Sequence, residues 1–191
     1  IQRNRINEGI CYLQITRGSF PRNHVFPTNV SHSLVITARR SRPVSGAEST
    51  QGVRVITTPD LRWHRRDIKS VSLLPNVLAK QSAAEAGAFE AWLVNKNGLV
   101  TEGSHSNAWI IAKDGAIVTH PEGVDILSGV TRNRLLEIAR TNGMGVEERK
   151  FSVGEAKEAL EAFLTSTSSF VVPVIQIDDA TVAKGKPGSI T

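Results

Sequence analysis

A chain of 191 residues, 40% hydrophobic and 21% charged, has the composition of an ordinary globular protein, long enough for one sizeable core or for a domain with a smaller companion. No apolar run is long enough to span a bilayer, no secretory leader is visible, and the single cysteine, Cys11, excludes an internal disulfide, so a reducing cytoplasm is the expected compartment. The net charge of +5 and a pI near 9.7 raise nucleic acid as a partner, but the cations are divided between "ARRSRP" (38–43) and "RWHRR" (62–66), and aromatics are only 5%, which supplies neither a long basic patch nor a stacking platform.

The chain opens with "IQRNRINEG", without an initiator Met, and residues before Ile1 are expected to be missing. "GICYLQITRG" (9–18) and "HSLVITAR" (32–39) read as strands. "SRPVSGAESTQG" (41–52) mixes Pro, Gly, Ser and charge and reads as a linker, followed by the strand "VRVITTP" (53–59). Lys69 ends a run that reads as extended, on one face with Val71 and Leu73 pointing inward. Residues 73–87 predict a helix with Pro75 in its first turn and Gly87 closing it. Strands follow at 89–95 and 106–113, with a hairpin turn at "NKNG" between them, and "KDG" leads into "AIVTH" (116–120). A helix from Thr131 to Asn142 stops at Gly143. The strand "GVEERKF" and a capping box from Ser152 to Glu155 come next, and "AFLTST" and "FVVPVIQID" finish the pattern. The fold class is α/β (α+β), rich in strands, with about three helices.

Four stretches carry chemistry. A lysine that forms an imine must be partly neutral near pH 7, which desolvation or neighbouring cations bring about. Arg62, Arg65 and Arg66 lie within seven residues of Lys69, whereas Lys80 has Gln81 and Glu85 beside it on its helix and can reach water. "TEGSHSNAW" (101–109) puts Glu102 before a cluster of small polar residues, where a buried carboxylate could hold a proton on a heterocyclic nitrogen, or simply bond a local turn. "ILSGVTRNRLLEIA" (126–139) runs from a Ser-Gly turn into a helix whose first amides, at Val130 and Thr131, suit a phosphate or an ordinary cap. "LTSTSS" (164–169) offers five hydroxyls in six residues. Together they supply what one pyridoxal phosphate site requires.

In order and spacing, "DIKS…LLPNVLAKQ", "TEGSHSNAW", "IVTHP", "ILSGVTR", "FLTSTSSFVVPV" and "GKPG" resemble class IV (fold-type IV) pyridoxal-phosphate aminotransferases, and within that class the D-amino-acid transaminases. The resemblance covers nearly the whole chain. It implies pyridoxal 5'-phosphate bound covalently by Lys69, with Lys80 a plain helix residue. It implies that Glu102 pairs with the pyridine nitrogen, that Leu127 packs on the ring, and that Val130, Thr131, Ser166 and Thr167 hold the phosphate. "TRGSFPRNHVFP" (16–27) resembles the segment in which an Arg-x-His pair, here Arg22 and His24, grips the substrate carboxylate.

The implied architecture is a remnant of a small N-terminal domain at 1–42, an interdomain linker at 43–52 and a large cofactor-binding domain at 53–191. The implied activity is transfer of the amino group of a D-amino acid such as D-alanine to 2-oxoglutarate or pyruvate, by a homodimer that binds neither nucleic acid nor membrane and uses no metal. A branched-chain L-amino-acid transaminase, a 4-amino-4-deoxychorismate lyase and an inactive truncated domain are the alternatives. Three positions depart from the pattern: His105 where relatives usually carry Ser, Trp109 where Phe or Tyr is usual, and Arg66 where a relative has Cys. A Tyr and an Arg expected upstream of Ile1 have no counterpart in this sequence, and a short tail is expected beyond Thr191.

Overall fold

The computed structural model describes residues 4–41 and 46–191. The chain divides into two compact units, Ile1–Pro43 and Val44–Thr191. Ile1 to Arg3 and residues 42–45, the start of the expected linker, lie outside the described residues. Among the described residues, no helix is long and apolar enough to cross a membrane.

The first unit is an antiparallel ribbon of β1 (Gly9–Thr16) and β2 (Ser33–Arg40), in register from Gly9↔Arg40 to Thr16↔Ser33. Both segments are rich in the β-branched and aromatic residues that suit a pleated surface. Period-two alternation sets Leu13 and Ile15 opposite Ile36 and Leu34 on one face, and all four are exposed.

The second unit begins with α1 (Gly46–Gln51), so the later part of the expected linker is helical and belongs to the larger unit. Its other elements are β3 (Val53–Pro59), α2 (Leu74–Glu85), β4 (Glu90–Val94), β5 (Leu99–Gly103), β6 (Asn107–Ile111), β7 (Ile117–Thr119), α3 (Val130–Thr141), β8 (Val146–Glu148), β9 (Phe151–Ser152), α4 (Val153–Lys157), β10 (Glu161–Ser166), β11 (Phe170–Ile177) and β12 (Ala180–Thr181). Helices α2 and α3 both end in a Schellman motif. Gly87 N–H donates to Ala84 O and Ala88 N–H to Ala83 O; Gly143 and Met144 do the same to Arg140 and Ala139. Gly87 and Gly143 have φ of 66° and 70°, the left-handed conformation that glycine adopts without strain.

The strands form one mixed sheet in the order β8-β7-β6-β10-β11-β3-β4-β5-β9, with β12 on β11. Strands β8 and β9 sit at opposite ends of that order, yet only Arg149 and Lys150 separate them in the chain. Three virtual bonds reach at most about 11 Å. The sheet therefore curls until its two edges nearly meet. This is why "GVEERKF" is two short strands rather than the one expected: its halves pair with β7 and β5, the opposite edges of the curl.

Both sheet faces are covered, so β4 and β6 read as continuous apolar runs. On the enclosed face Val55, Trp92, Val100, Ala108, Ile110, Phe151, Leu164 and Val174 share one core. On the outer face Trp109, Ile111 and Phe163 pack with Leu136 and Ala139 of α3, and Ala91 and Leu93 with Ala79 and Ala83 of α2. At α4 the Ser152 side chain accepts from Glu155 N–H at 3.0 Å, the expected cap, while the Glu155 carboxylate turns to Arg149 instead of back to Ser152.

Candidate active site

Glu102 lies on β5, a strand the sequence reading left between its hairpin turn and its polar cluster. The residue is 4% exposed, and three segments converge on its carboxylate. Leu127 N–H donates to both oxygens, at 3.1 and 3.2 Å. The Asn107 amide, at the start of β6, donates to Oε2 at 3.0 Å and to Leu127 O at 2.9 Å, so one side chain clamps Glu102 and Leu127 together. The Arg62 guanidinium donates to Oε1. Burial pushes the Glu102 carboxyl up to about 7, against the opposing pull of Arg62 and the Leu127 N–H. Gly129 makes the clamp possible, because a Cβ there would fall 2.3 Å from Asn107 Oδ1.

Arg62 belongs to the loop 60–73 between β3 and α2, which is tacked down along its length. Asp60 N–H donates to Val94 O, Arg66 N–H to Val124 O, and Asn76, just inside α2, reaches Ser104 O at 2.8 Å. Lys69 falls between the last two anchors. It is exposed and makes no hydrogen bond or ion pair among the described residues. The extended run ending at Lys69 is not a strand, and Val71 and Leu73 are exposed rather than inward. The three arginines are also not free cations. Asp60 and Glu102 match Arg62, Asp67 matches Arg65, and Asp60 and Asp125 match Arg66. The positive field that the sequence suggests around Lys69 is largely neutralised. Lys80 is occupied: its ammonium donates to Phe89 O and stands 4.7 Å above the Phe89 ring.

The polar turn after Glu102 is organised by Glu90, a fully buried carboxylate that the sequence reading passed over. It accepts from His105 N–H at 2.7 Å, Ser106 Oγ at 2.9 Å and Ser104 Oγ at 3.2 Å, and His105 Nδ1 stands 2.9 Å away. The departure at His105 thus adds a partner to Glu90. Trp109, the other departure, donates from Nε1 to Thr165 Oγ1 at 2.9 Å and stacks on Phe163 at 5.4 Å.

Helix α3 starts with Gly129 at its N-cap and no side-chain cap; Ser128 is instead engaged with Glu122 and Asn133. The first amides, at Val130 and Thr131, are left to other acceptors. The β6–β10 register pairs Asn107 with Thr165, so Ser166 and Thr167 continue past the residue whose amide holds Leu127. Ser166 Oγ accepts from Ser169 N–H at 3.1 Å, and Thr167 is exposed. Asn107 thus bonds Glu102 and Leu127 directly, while Val130 and Thr131 follow its neighbour Gly129 and Ser166 and Thr167 follow its strand partner Thr165 in the chain. Arg22 and His24 lie in the first unit, both exposed, in the connection between β1 and β2.

A family model for class IV amino-transferases matches residues 1–177. D-alanine aminotransferase of Bacillus licheniformis is 44% identical over 190 residues, which are 98% of this chain and 65% of that protein. Among solved structures, the branched-chain amino acid aminotransferase of Escherichia coli superposes with a TM-score of 0.86 at 23% identity, over 99% of this chain and 64% of that one; at this identity the likeness concerns the fold. The 4-amino-4-deoxychorismate lyase of Pseudomonas aeruginosa gives 0.84 at 25% identity, over 95% and 67%. The chain spans about two thirds of the length of these relatives. It belongs to the class IV aminotransferase family.

Proposed function

We propose that the protein is a pyridoxal 5'-phosphate-dependent transaminase that moves the amino group of a D-amino acid, such as D-alanine, to 2-oxoglutarate or pyruvate. The observation that carries this reading is the cradle of Glu102. A protonated ring nitrogen needs a buried carboxylate held in one orientation as an acceptor. Glu102 receives three donors, from Arg62, Asn107 and Leu127, and burial raises its carboxyl, which marks a desolvated place that a further cation would suit. The uncapped amides of Val130 and Thr131, with the hydroxyls of Ser166 and Thr167, suit a phosphate. Leu127 suits the ring face, and the amine of Lys69, unpartnered among the described residues, suits covalent attachment. The residues present fit the group.

When bound, the cofactor supplies an aldehyde for an amine and a ring that takes up the electrons left when a Cα–H bond breaks. The freed Nζ of Lys69 is the general base that takes the substrate's α-proton and the general acid that returns it. Glu102 keeps the proton on the ring nitrogen. Arg22 and His24 hold the α-carboxylate, by a guanidinium fork and an imidazole donor. The choice of a D-amino acid rests on this pair and on the 44% identity to a D-alanine aminotransferase. A homodimer in the cytoplasm belongs to the same reading, the first from the family resemblance and the second from a lone, exposed Cys11.

The test is the visible absorption of the full-length protein with added pyridoxal phosphate, before and after D-alanine and then L-leucine. The band should form with wild type and not with Lys69→Ala, and should bleach with D-alanine alone. Bleaching with L-leucine alone would assign the branched-chain activity instead. Pyruvate released from 4-amino-4-deoxychorismate would assign the lyase.

A further inference from the structure

The positive charge beside Glu102 is mostly committed elsewhere. The Asp60 side chain is fully buried and takes Arg62 Nε at 2.9 Å and Nη2 at 2.8 Å, the two-pronged geometry in which guanidinium and carboxylate pair most strongly. Thr101 Oγ1 donates to the same carboxylate at 2.8 Å, and Arg66 Nε stands 3.4 Å from it. Only Nη1 of Arg62 turns to Glu102. Arg66 is divided in turn between Asp60 and Asp125, and Asp125 meets Lys150 at the surface. One guanidinium thus serves two buried carboxylates, and Asp60 holds two of its donors to Glu102's one.

We infer that Asp60 is a positioning residue for the cofactor: by holding Arg62 on its far side it leaves Glu102 short of a cation and able to keep a proton on the ring nitrogen. The inference rests on the reading of Glu102 as the ring nitrogen's partner. Were Asp60 uncharged, the full charge of Arg62 would fall on Glu102, weaken it as a base and let the ring nitrogen lose its proton. The two carboxyls already diverge in this direction. Burial pushes both up, but Arg62, Thr101 and Arg66 hold Asp60 below its ordinary value, while Glu102 stays near 7.

The experiment is a pH titration of the ring-nitrogen NMR signal in the full-length protein loaded with pyridoxal phosphate labelled with 15N in the ring. Asp60→Asn should lower the midpoint for loss of the ring proton by about 1–2 pH units. The double variant Asp60→Asn/Arg62→Gln removes both charges and should restore the wild-type midpoint or exceed it, whereas a merely structural role would leave it at least as impaired as the single variant. An unchanged midpoint in Asp60→Asn, or a further fall in the double variant, overturns the inference. In the cofactor-free protein, 13C titration of the Glu102 carboxyl should fall from about 7 in Asp60→Asn. No fall there overturns the role of Asp60 alone. If instead Glu102→Gln leaves the ring signal unaltered, the pairing of Glu102 with the ring nitrogen is what fails.

Discussion

Glu102 should make the cofactor-free protein lose stability as pH rises. The carboxyl has an ordinary value of 4.5 and is raised to about 7 in the folded chain. Between these values the folded protein keeps a proton that the unfolded chain has released. The unfolded state then binds fewer protons, and stability falls with increasing pH. The gap from 4.5 to about 7, at about 1.4 kcal/mol per pH unit, costs about 3 kcal/mol above pH 7 and nothing below pH 4.5. Glu102→Gln has the same shape and cannot ionise. Urea denaturation of both proteins across pH 5 to about 8.5 gives the comparison. Asp60 and Glu148, held below their ordinary values by arginines despite burial, lose their stabilising effect as pH falls, but they are common to both proteins and nearly cancel in the difference. Wild-type stability should decline relative to the variant by about 2.5 kcal/mol across that range. A difference that stays flat to within about 0.5 kcal/mol would refute a desolvated carboxyl at this position. Pyridoxal phosphate, if its ring nitrogen brings a cation to Glu102, should flatten the decline.

Asn107→Ala removes the amide that holds both Glu102 and Leu127 O, and should cost about 1–3 kcal/mol in chemical denaturation together with weaker cofactor binding. Gly129→Ala sets a methyl 2.3 Å from Asn107 Oδ1 and should destabilise by about 1–3 kcal/mol, whereas the same change at the open Gly154, inside α4, should not. The two lysines should separate cleanly. Lys69→Met, at an exposed side chain without partners among the described residues, should leave stability within about 0.5 kcal/mol while abolishing amino-group transfer. Lys80→Met should cost about 1–2 kcal/mol, through the Phe89 carbonyl and ring, and keep activity per folded molecule.

Local signals located the elements well where local physics decides them. The helix around 74–85 was bounded by Pro75 and Gly87, and both do what their backbone chemistry requires. The ribbon of β1 and β2 followed from β-branched alternation. Misreadings occurred where tertiary pairing overrides the local pattern. "GVEERKF" has a single strand's composition, but the closure of the sheet cuts it after Glu148. Residues 46–51 have a linker's composition and form a short helix, which packs against β11. Val71 and Leu73 alternate like strand residues, although they lie in a loop between the anchors at Arg66 and Asn76.

The same limit governs the charges. In "RWHRRDIK" a count along the sequence finds cations crowding Lys69; Asp60 and Asp67 answer them nearby, and further partners lie far away in the chain. Arg62 is answered by Glu102, 40 residues on, and Arg66 by Asp125, 59 residues on. Coulomb interactions depend on distance in space, so a cation paired at about 3 Å contributes little further out. Glu90 shows the converse case. It reads as a strand residue without signal, yet it holds the polar turn 104–106 from 14 to 16 residues away. The sequence therefore suggests an excess of positive charge at the lysine, whereas the fold creates a shortage of it at Glu102. In the proposed function it is this carboxylate, more than the crowded arginines, that meets the protonated heterocycle.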